Sequence, residues 1–232
     1  VVATDMMLGA LTDPFGNGHM GVTAENIAKR GNIDRAAQDA FAVESHRRAA
    51  RAIAEGRFKD QILPMTVRQG RTEVTFDTDE HVRPGLTDAD LAKLRPVFAK
   101  DGSVTAGNAS GINDGAAALV LMEAETATAR GIMPLARIVA YGLGGVAPEV
   151  MGLGPVPASR QALERAGLQV SDLDVIESNE AFAAQACAVS ADLDLPTDKV
   201  NPNGGAVALG HPVGASGAII LTKLLYELER IG

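Results

Sequence analysis

The sequence predicts a layered α/β fold, with mixed sheets covered by helices, together with a loop-rich helical subdomain at the start of the chain. From Ala116 onward, apolar strand-like runs alternate with helix-like segments in the order βαβαβα. The first hundred residues contain helices and glycine-containing loops instead. Hydrophobic residues make up 46% of the 232 residues and aromatic residues only 3%, so a substantial core must be built from small and aliphatic side chains.

Capping residues set the predicted bounds of the first helices. Thr23 is a plausible N-cap for one helix, and Asp34 for a longer one that Gly56 stops. Asp88 is a plausible N-cap for a third, which precedes Pro96. The elements predicted in this part are helices at 24–30, 35–55 and 88–94, a strand at 62–67 and a turn-rich segment at 77–84.

The second part of the chain is predicted to alternate between strands and helices. The run from Ala116 to Met122 is compact and apolar, which is typical of a buried strand. Gly131 and Gly167 end two of the helical patterns. The predicted strands are 116–122, 135–141 and 175–177, and the predicted helices are 123–130, 159–166, 180–193 and a last one from 215.

Charge and cysteine content exclude several classes of protein. A net charge of −8 argues against nonspecific binding to nucleic acid. The single Cys187 excludes an intramolecular disulfide framework and a cysteine-rich metal site, so no metal is predicted. We find no signal-peptide pattern and no apolar run of the roughly 18–20 residues that a membrane span needs. A cytoplasmic protein without a membrane contact is therefore expected.

His211 lies within the most informative run of the chain, Asn-Pro-Asn-Gly-Gly-Ala-Val-Ala-Leu-Gly-His-Pro-Val-Gly-Ala-Ser-Gly at 201–217. The glycines allow sharp bends and close approach to a ligand. Leucines at three- and four-residue spacing follow, which predicts a helix. His211 is therefore expected at a helix N-terminus, where the dipole favours a neutral imidazole. An ordinary turn residue is the alternative.

Asn179 lies where a short predicted strand breaks into a helix, in the run Ser-Asn-Glu-Ala-Phe-Ala. An Asn at this place is either an N-cap or an amide that fixes a water or a carbonyl beside an oxyanion site. Two strand-to-helix junctions at neighbouring strand ends can meet, which would bring Asn179 to His211, 32 residues later. Cys187, two turns into the same helix, is interpreted as a small packing residue.

Taken together, the Asn-Glu-Ala-Phe-Ala and Gly-His-Pro runs resemble two signatures of the thiolase family, and family-like segments follow in family order over essentially all 232 residues. The likeness is greatest to the short-chain biosynthetic type, the acetyl-CoA acetyltransferases. It implies a Claisen condensation or thiolysis through an acyl-cysteine, with two acetyl-CoA giving acetoacetyl-CoA and CoA. His211 would activate the nucleophile and, with a water held by Asn179, polarise a thioester carbonyl.

The resemblance also implies a binding site for the acyl-CoA substrate, and no tightly bound cofactor. Each matching residue has an ordinary explanation as well, as part of a turn, as a solvated charge or as core packing. The matching residues are His19 and Met20 beside the acyl tunnel, Ala106 and Ser110 along the pantetheine arm, Arg83 near the nucleotide, and Met151 beside the acyl group.

Both catalytic cysteines of the family are absent from this sequence. By the resemblance, one would precede Val1 and the other would follow Gly232, so the chain is expected to be a truncated and inactive piece. An exposed sheet edge and exposed apolar surface should result. The predicted division is a partial loop domain at 1–112, a returning segment of the N-terminal half at 113–132, and a C-terminal half at 133–232 that lacks its last strands.

Other functions remain open at this level. A degradative 3-ketoacyl-CoA or 3-ketoadipyl-CoA thiolase would share the same signatures. A noncatalytic CoA-binding or assembly module would bind acyl-CoA without transferring it, and a plain structural domain would do neither. The family resemblance also implies a homodimer or homotetramer.

Overall fold

Helices dominate the computed structural model of the chain, which describes residue 3 and residues 5–232. In this part of the chain, the strands β1 (Thr12–Asp13) and β2 (Gly18–His19) form one antiparallel pair, and β3 (Met65–Gln69) and β4 (Thr72–Phe76) form another. Two 3₁₀ turns span Pro148–Leu153 and Val170–Asp172. The helices are α1 (Met6–Ala10), α2 (Met20–Arg30), α3 (Arg35–Ala54), α4 (Asp88–Leu91), α5 (Ala124–Ala129), α6 (Pro155–Ala166), α7 (Ala183–Asp192), α8 (Ala206–Leu209) and α9 (Ser216–Ile231).

The first two long helices, α2 and α3, each had a predicted N-cap. The prediction is correct for α3 and wrong for α2. Asp34 accepts a hydrogen bond from the backbone N of Ala37 at 2.8 Å and starts α3 where the sequence predicts. Helix α2 begins four residues earlier than predicted, because the Nδ1 atom of His19 accepts from the backbone N of Gly21 at 3.0 Å. Thr23 is therefore inside the helix.

Helix α4 is shorter than predicted, since it ends at Leu91 rather than Leu94. Its N-cap is Thr87, which forms a reciprocal capping box with Asp90, so the predicted cap Asp88 is the first helical residue.

Two further helix starts differ from the prediction. Helix α6 begins at Pro155 instead of Ser159, in accordance with the preference of proline for the first helical turn, and Gly167 caps its C-terminus with a φ of 67°. Helix α7 begins at Ala183 instead of Glu180, because the chain is still extended at its N-cap, Phe182.

The predicted strand at 62–67 is displaced by a few residues and forms β3 of a hairpin. Its partner β4 follows a tight turn at Gly70, which has a φ of 64°, and sequence analysis missed this partner strand.

The predicted buried strands 116–122 and 135–141 are wrong for the described residues. Neither segment pairs with a strand there, and Val120 is 90% and Leu135 75% exposed. A strand needs a neighbouring strand to satisfy its backbone N–H and C=O groups, and no described strand pairs with either segment. The predicted strand at 175–177 is reduced to one parallel bridge, between Ile176 and Val200.

Small side chains fill the core between α2, α3, α7 and α8. Ala24 and Ala28 of α2 pack with Ala184 of α7 and with Val104 in one buried cluster. Alanines allow helix backbones to approach closely, so the loops at the ends of these helices lie near one another. The same packing brings the segments around residues 179 and 211 together.

No helix in the described part of the chain is long and apolar enough to cross a membrane. Among the same residues, no group of three or more His, Cys, Asp or Glu side chains lies close enough to hold a metal ion.

The loop that carries Arg83 is attached to α3 through a buried histidine. The backbone N of Arg83 donates to the Nδ1 atom of His46 at 3.1 Å, and His46 is 4% exposed. Burial, followed by the nearby charges of His81 and Arg83, lowers the pKa of His46 to about 4.

We expect the stability of this loop attachment to depend on pH. Because the folded pKa of His46 lies below its ordinary value of 6.5, the unfolded chain binds the proton more tightly. The free energy of unfolding should therefore fall as the pH drops from about 6.5 towards about 4. Urea unfolding at a series of pH values should show a shallower slope for His46→Gln, whose amide oxygen can still accept from Arg83. Equal slopes in both proteins would contradict this assignment.

Candidate active site

His211 lies in a tight connection between α8 and α9. Gly210 precedes it with a φ of 96°, and a Cβ atom at this glycine would lie 2.5 Å from the side chain of Asn113. Helix α9 begins only at Ser216, so the predicted position of His211 at a helix N-terminus is wrong. Burial, rather than a helix dipole, lowers the pKa of His211 and favours the neutral imidazole.

The segment 111–115 accepts hydrogen bonds from the backbone of this turn. The backbone N of His211 lies 3.2 Å from the carbonyl O of Gly111 and 3.3 Å from the Oδ1 atom of Asn113. The sequence does not reveal this role of Asn113, because the residue is 98 positions away from His211 and asparagine is common in turns.

Asn179 faces His211. Its Nδ2 atom lies 3.4 Å from the Nε2 atom of His211, a distance at which the two groups are in contact. Asn179 is not the N-cap of α7, which is Phe182, so the capping interpretation is wrong. The Oδ1 atom of Asn179 is buried and has no hydrogen-bond partner among the described residues. An acceptor of this kind is suited to a water or a substrate group.

The buried carboxylate of Glu180 accepts hydrogen bonds from three neighbouring segments. It accepts from the hydroxyl of Ser45 at 2.6 Å, from the amide of Asn201 at 2.7 Å and from the backbone N of Val207 at 3.1 Å. Burial raises the pKa of Glu180, although these three donors act in the opposite direction. Gly205 is required beside it, because a Cβ atom there would lie 2.1 Å from the carboxyl carbon.

A buried ion pair connects α9 to the same region. The Nζ atom of Lys223 lies 2.7 Å from an oxygen of Glu177 and donates to the carbonyl O of Gly204 at 2.6 Å. Both charged side chains are almost fully buried, at 6% and 2% exposure. These contacts hold α9 against the segments that carry Asn179 and His211.

Asn179 and His211 lie in the wall of a cavity of about 750 Å³. The cavity is bounded by α2, α6, α7 and the segment before α7, and its lining is mostly apolar. Met20 and Met151 line it as well, so four of the eight predicted site residues share one cavity.

His19 lies beside this cavity rather than in its lining. Its ring stacks on Phe98 with centroids 4.8 Å apart, and Phe98 meets the ring of Phe182 edge to face. Sequence analysis did not single out Phe98, since nothing in the local pattern distinguishes it from a core residue.

Ser110 is attached next to Asn179, whereas Ala106 lies on the surface of the same loop. The backbone N and the hydroxyl of Ser110 both donate to the carbonyl O of Ala181, at 3.0 and 2.9 Å. Arg83 is exposed and is not among the residues that line the cavity. The structure therefore brings Ser110 near the central pair and leaves Ala106 and Arg83 outside the cavity.

Cys187 does not fit the requirements of a nucleophile. It lies on α7 outside the cavity lining, and burial raises the pKa of its thiol to about 11. A protonated thiol is a poor nucleophile, and this agrees with its interpretation as a packing residue.

A neutral histidine and an amide at the edge of an apolar cavity define a site that can take a proton and then, as the imidazolium, polarise a carbonyl group. Residues 1–125 match the thiolase N-terminal domain, and residues 132–232 match the thiolase C-terminal domain. The chain belongs to the thiolase family.

Relatives and solved structures agree with this family. The chain is 64% identical to the beta-ketothiolase BktB of Cupriavidus necator over 228 residues, which are 98% of this chain and 58% of that protein. It matches the acetyl-CoA acetyltransferase of Bacillus anthracis with a TM-score of 0.95 and 49% identity, over 100% of this chain and 60% of that one. Human mitochondrial 3-ketoacyl-CoA thiolase in complex with CoA matches with a TM-score of 0.89 and 41% identity, over 99% of this chain and 60% of the other.

These matches confirm the predicted thiolase-like α/β fold. They also show that the chain spans about 58% of the length of the curated relatives that it matches.

Proposed function

We propose that a longer protein containing this sequence transfers acyl groups between CoA thioesters by Claisen condensation and thiolysis. The favoured reaction joins two acetyl-CoA to give acetoacetyl-CoA and CoA. Relatives 52–57% identical to the chain are named acetyl-CoA acetyltransferases, which supports this short-chain assignment.

The contact between His211 and Asn179 carries the proposal. Two residues 32 positions apart meet at 3.4 Å beside an apolar cavity, and each belongs to a run that resembles a thiolase signature. A merely structural histidine or a helix cap would not require this pairing.

The chemistry follows from the two side chains. The Nε2 atom of a neutral His211 can take the proton of a cysteine thiol, and the resulting imidazolium can donate to the oxygen of a thioester. The unpartnered Oδ1 atom of Asn179 can accept from a water that donates a second hydrogen bond to the same oxygen. The negative charge that develops on this oxygen would be stabilised from two sides.

The remaining predicted residues are proposed to bind the CoA thioester, which is a substrate rather than a resident cofactor. Met20 and Met151 would contact the acyl group, since both line the cavity. His19 would border the acyl-CoA tunnel, and Ala106 and Ser110 would lie along the pantetheine arm. Arg83, which is exposed, would pair with a phosphate of the nucleotide.

The domain division at 112 and 132, the homodimer or homotetramer and the cytoplasmic location are proposals as well. The two thiolase domain matches end at 125 and start at 132, which supports a boundary in this region. We also propose that further polypeptide of a longer protein packs on segments 116–122 and 135–141. The exposed apolar side chains of both segments support this.

Thiolysis assays on the full-length protein test the proposed function. With acetoacetyl-CoA and CoA we expect formation of acetyl-CoA, which the loss of acetoacetyl-CoA absorbance would report. A longer 3-ketoacyl-CoA should react more slowly. Faster reaction of the longer substrate would show that the protein is a degradative thiolase instead. Binding of acyl-CoA without any acyl transfer would show that it is a noncatalytic CoA-binding module.

A polypeptide of these 232 residues alone is expected to be inactive. Its single cysteine has a thiol pKa raised to about 11 and does not line the cavity, so no side chain beside His211 can form the acyl thioester. The purified chain should produce no acetoacetyl-CoA from acetyl-CoA above the blank. Steady turnover by a preparation whose intact mass matches 232 residues would contradict this prediction.

A further inference from the structure

The two ring nitrogens of His211 have different partners. The Nε2 atom faces the Nδ2 atom of Asn179 at 3.4 Å, in the wall of the cavity. The Nδ1 atom lies 2.7 Å from the hydroxyl oxygen of Ser216, the first residue of α9. Ser216 is 7% exposed, so water does not compete freely for this contact.

The partners determine where the imidazole proton lies. The Nδ2 group of an asparagine only donates, so the Nε2 atom opposite it has to accept. A neutral imidazole carries one N–H, which must then be on Nδ1 and donate to Ser216. The hydroxyl of Ser216 keeps its own hydrogen for the carbonyl O of Pro212, which lies 3.0 Å away. This arrangement gives the Nε2 atom, the Nδ1 atom and the hydroxyl of Ser216 one partner each, and it leaves the Oδ1 atom of Asn179 open for a water or a substrate group.

We infer that Ser216 is a positioning residue that fixes the tautomer of His211, so that the Nε2 atom presents its lone pair to the reacting groups. The structural part of this inference stands on the hydrogen bonds alone, and its catalytic consequence rests on the proposed function. Ser216 acts only through His211, because it does not line the cavity.

The same hydrogen bond serves both states of the histidine. When Nε2 takes a proton, the imidazolium still donates from Nδ1 to Ser216, so nothing has to rearrange at that end. The opposite tautomer would place the Nε2–H group of His211 against the amide N–H of Asn179. Its Nε2 atom would then have no lone pair to accept the proton of a thiol.

Helix α9 offers a matched control. The hydroxyl of Thr222 donates to the carbonyl O of Ala218 at 2.9 Å, which is the same backbone bond that Ser216 makes with Pro212. No histidine in the described part of the chain hydrogen-bonds to Thr222, so Thr222→Val removes a comparable bond from the same helix without removing a partner of the imidazole.

The first test compares steady-state kinetics of Ser216→Ala, Ser216→Thr and Thr222→Val in the full-length protein. Loss of an orienting hydrogen bond to a functional histidine should lower kcat for thiolysis about 10- to 100-fold, with KM for acetoacetyl-CoA changed less than about twofold. Ser216→Thr, which keeps the hydroxyl, should recover most of kcat, and Thr222→Val should behave as the parent protein. An equal loss in Thr222→Val, or no loss in Ser216→Ala, would overturn the inference.

The second test reads the tautomer directly and does not depend on acyl transfer. In the parent protein with ¹⁵N-labelled histidine, the nitrogen chemical shifts of His211 should show a protonated Nδ1 atom, and in Ser216→Ala a larger share of protonated Nε2. If this change occurs in a protein without thiolase activity, the inference holds and the proposed function fails. If the parent protein already carries its proton on Nε2, or if the tautomer is unchanged in Ser216→Ala, the inference is wrong.

Discussion

Replacing His211 with alanine in the full-length protein is expected to lower kcat for acetoacetyl-CoA thiolysis by about 10³-fold or more, because the substitution removes a proton acceptor and an oxyanion donor together. The imidazole is half-buried in the connection between α8 and α9, and within residues 5–232 its Nδ1 and Nε2 atoms face Ser216 and Asn179 as hydrogen-bond partners. The loss should therefore appear in kcat far more than in the free energy of unfolding.

Two additional measurements separate chemistry from damage to the fold. Free imidazole should restore part of the activity of His211→Ala, since it can occupy the space of the missing ring. Asn179→Ala should lower kcat by about 10²- to 10³-fold, the usual effect of losing one oxyanion donor, because it releases the water that would donate to the thioester oxygen. Near-normal kcat in His211→Ala would show that His211 takes no part in the reaction.

The second large effect is expected at Glu180, which no step of the chemistry uses. Glu180→Ala removes the acceptor that Ser45, Asn201 and Val207 share, and the amide of Asn201 keeps only its bond to the carbonyl O of Ser178. We expect the free energy of unfolding to fall by about 3–5 kcal/mol, because each buried donor that loses its acceptor costs roughly 1–3 kcal/mol. Activity should fall as well, because the bond to Val207 holds the turn that leads to His211.

Glu44 provides the matched control for this substitution. Its carboxylate pairs with Arg47 and Arg48 on the surface of α3, and its side chain is 39% exposed. Removing an exposed pair typically costs less than about 1 kcal/mol, so Glu44→Ala should be far milder than Glu180→Ala in urea unfolding. Equal effects of the two substitutions would show that the buried network does not stabilise this region.

The sequence predicts the helices of this chain better than its strands, for a physical reason. A helix is stabilised by bonds within a few residues of one another, so local signals such as Asp34 and Gly167 locate its ends. A strand needs a partner that the local pattern does not identify. The apolar run at 116–122 has the composition of a buried strand, but no described segment pairs with it.

In the candidate site too, residues within recognisable runs could be predicted from sequence, whereas contacts that only the fold creates could not. His211 and Asn179 are recognisable from the runs around them, and the fold brings them into contact. Ser45 could not be connected with the site from sequence, since it meets Glu180 across 135 positions. The contact between Ser216 and His211 spans only five residues, but the helical pattern gives no indication that the hydroxyl turns back towards the ring.

The most direct test of the account is a crystal structure of the full-length protein with a nonreactive acetyl-CoA analogue. The central claim is that the thioester carbonyl lies against His211 and Asn179. We predict its oxygen within about 3.2 Å of the Nε2 atom of protonated His211, with a water held by the Oδ1 atom of Asn179 donating the second hydrogen bond. An acetyl group bound away from this pair, with His211 and Asn179 contacting only protein atoms, would contradict the account.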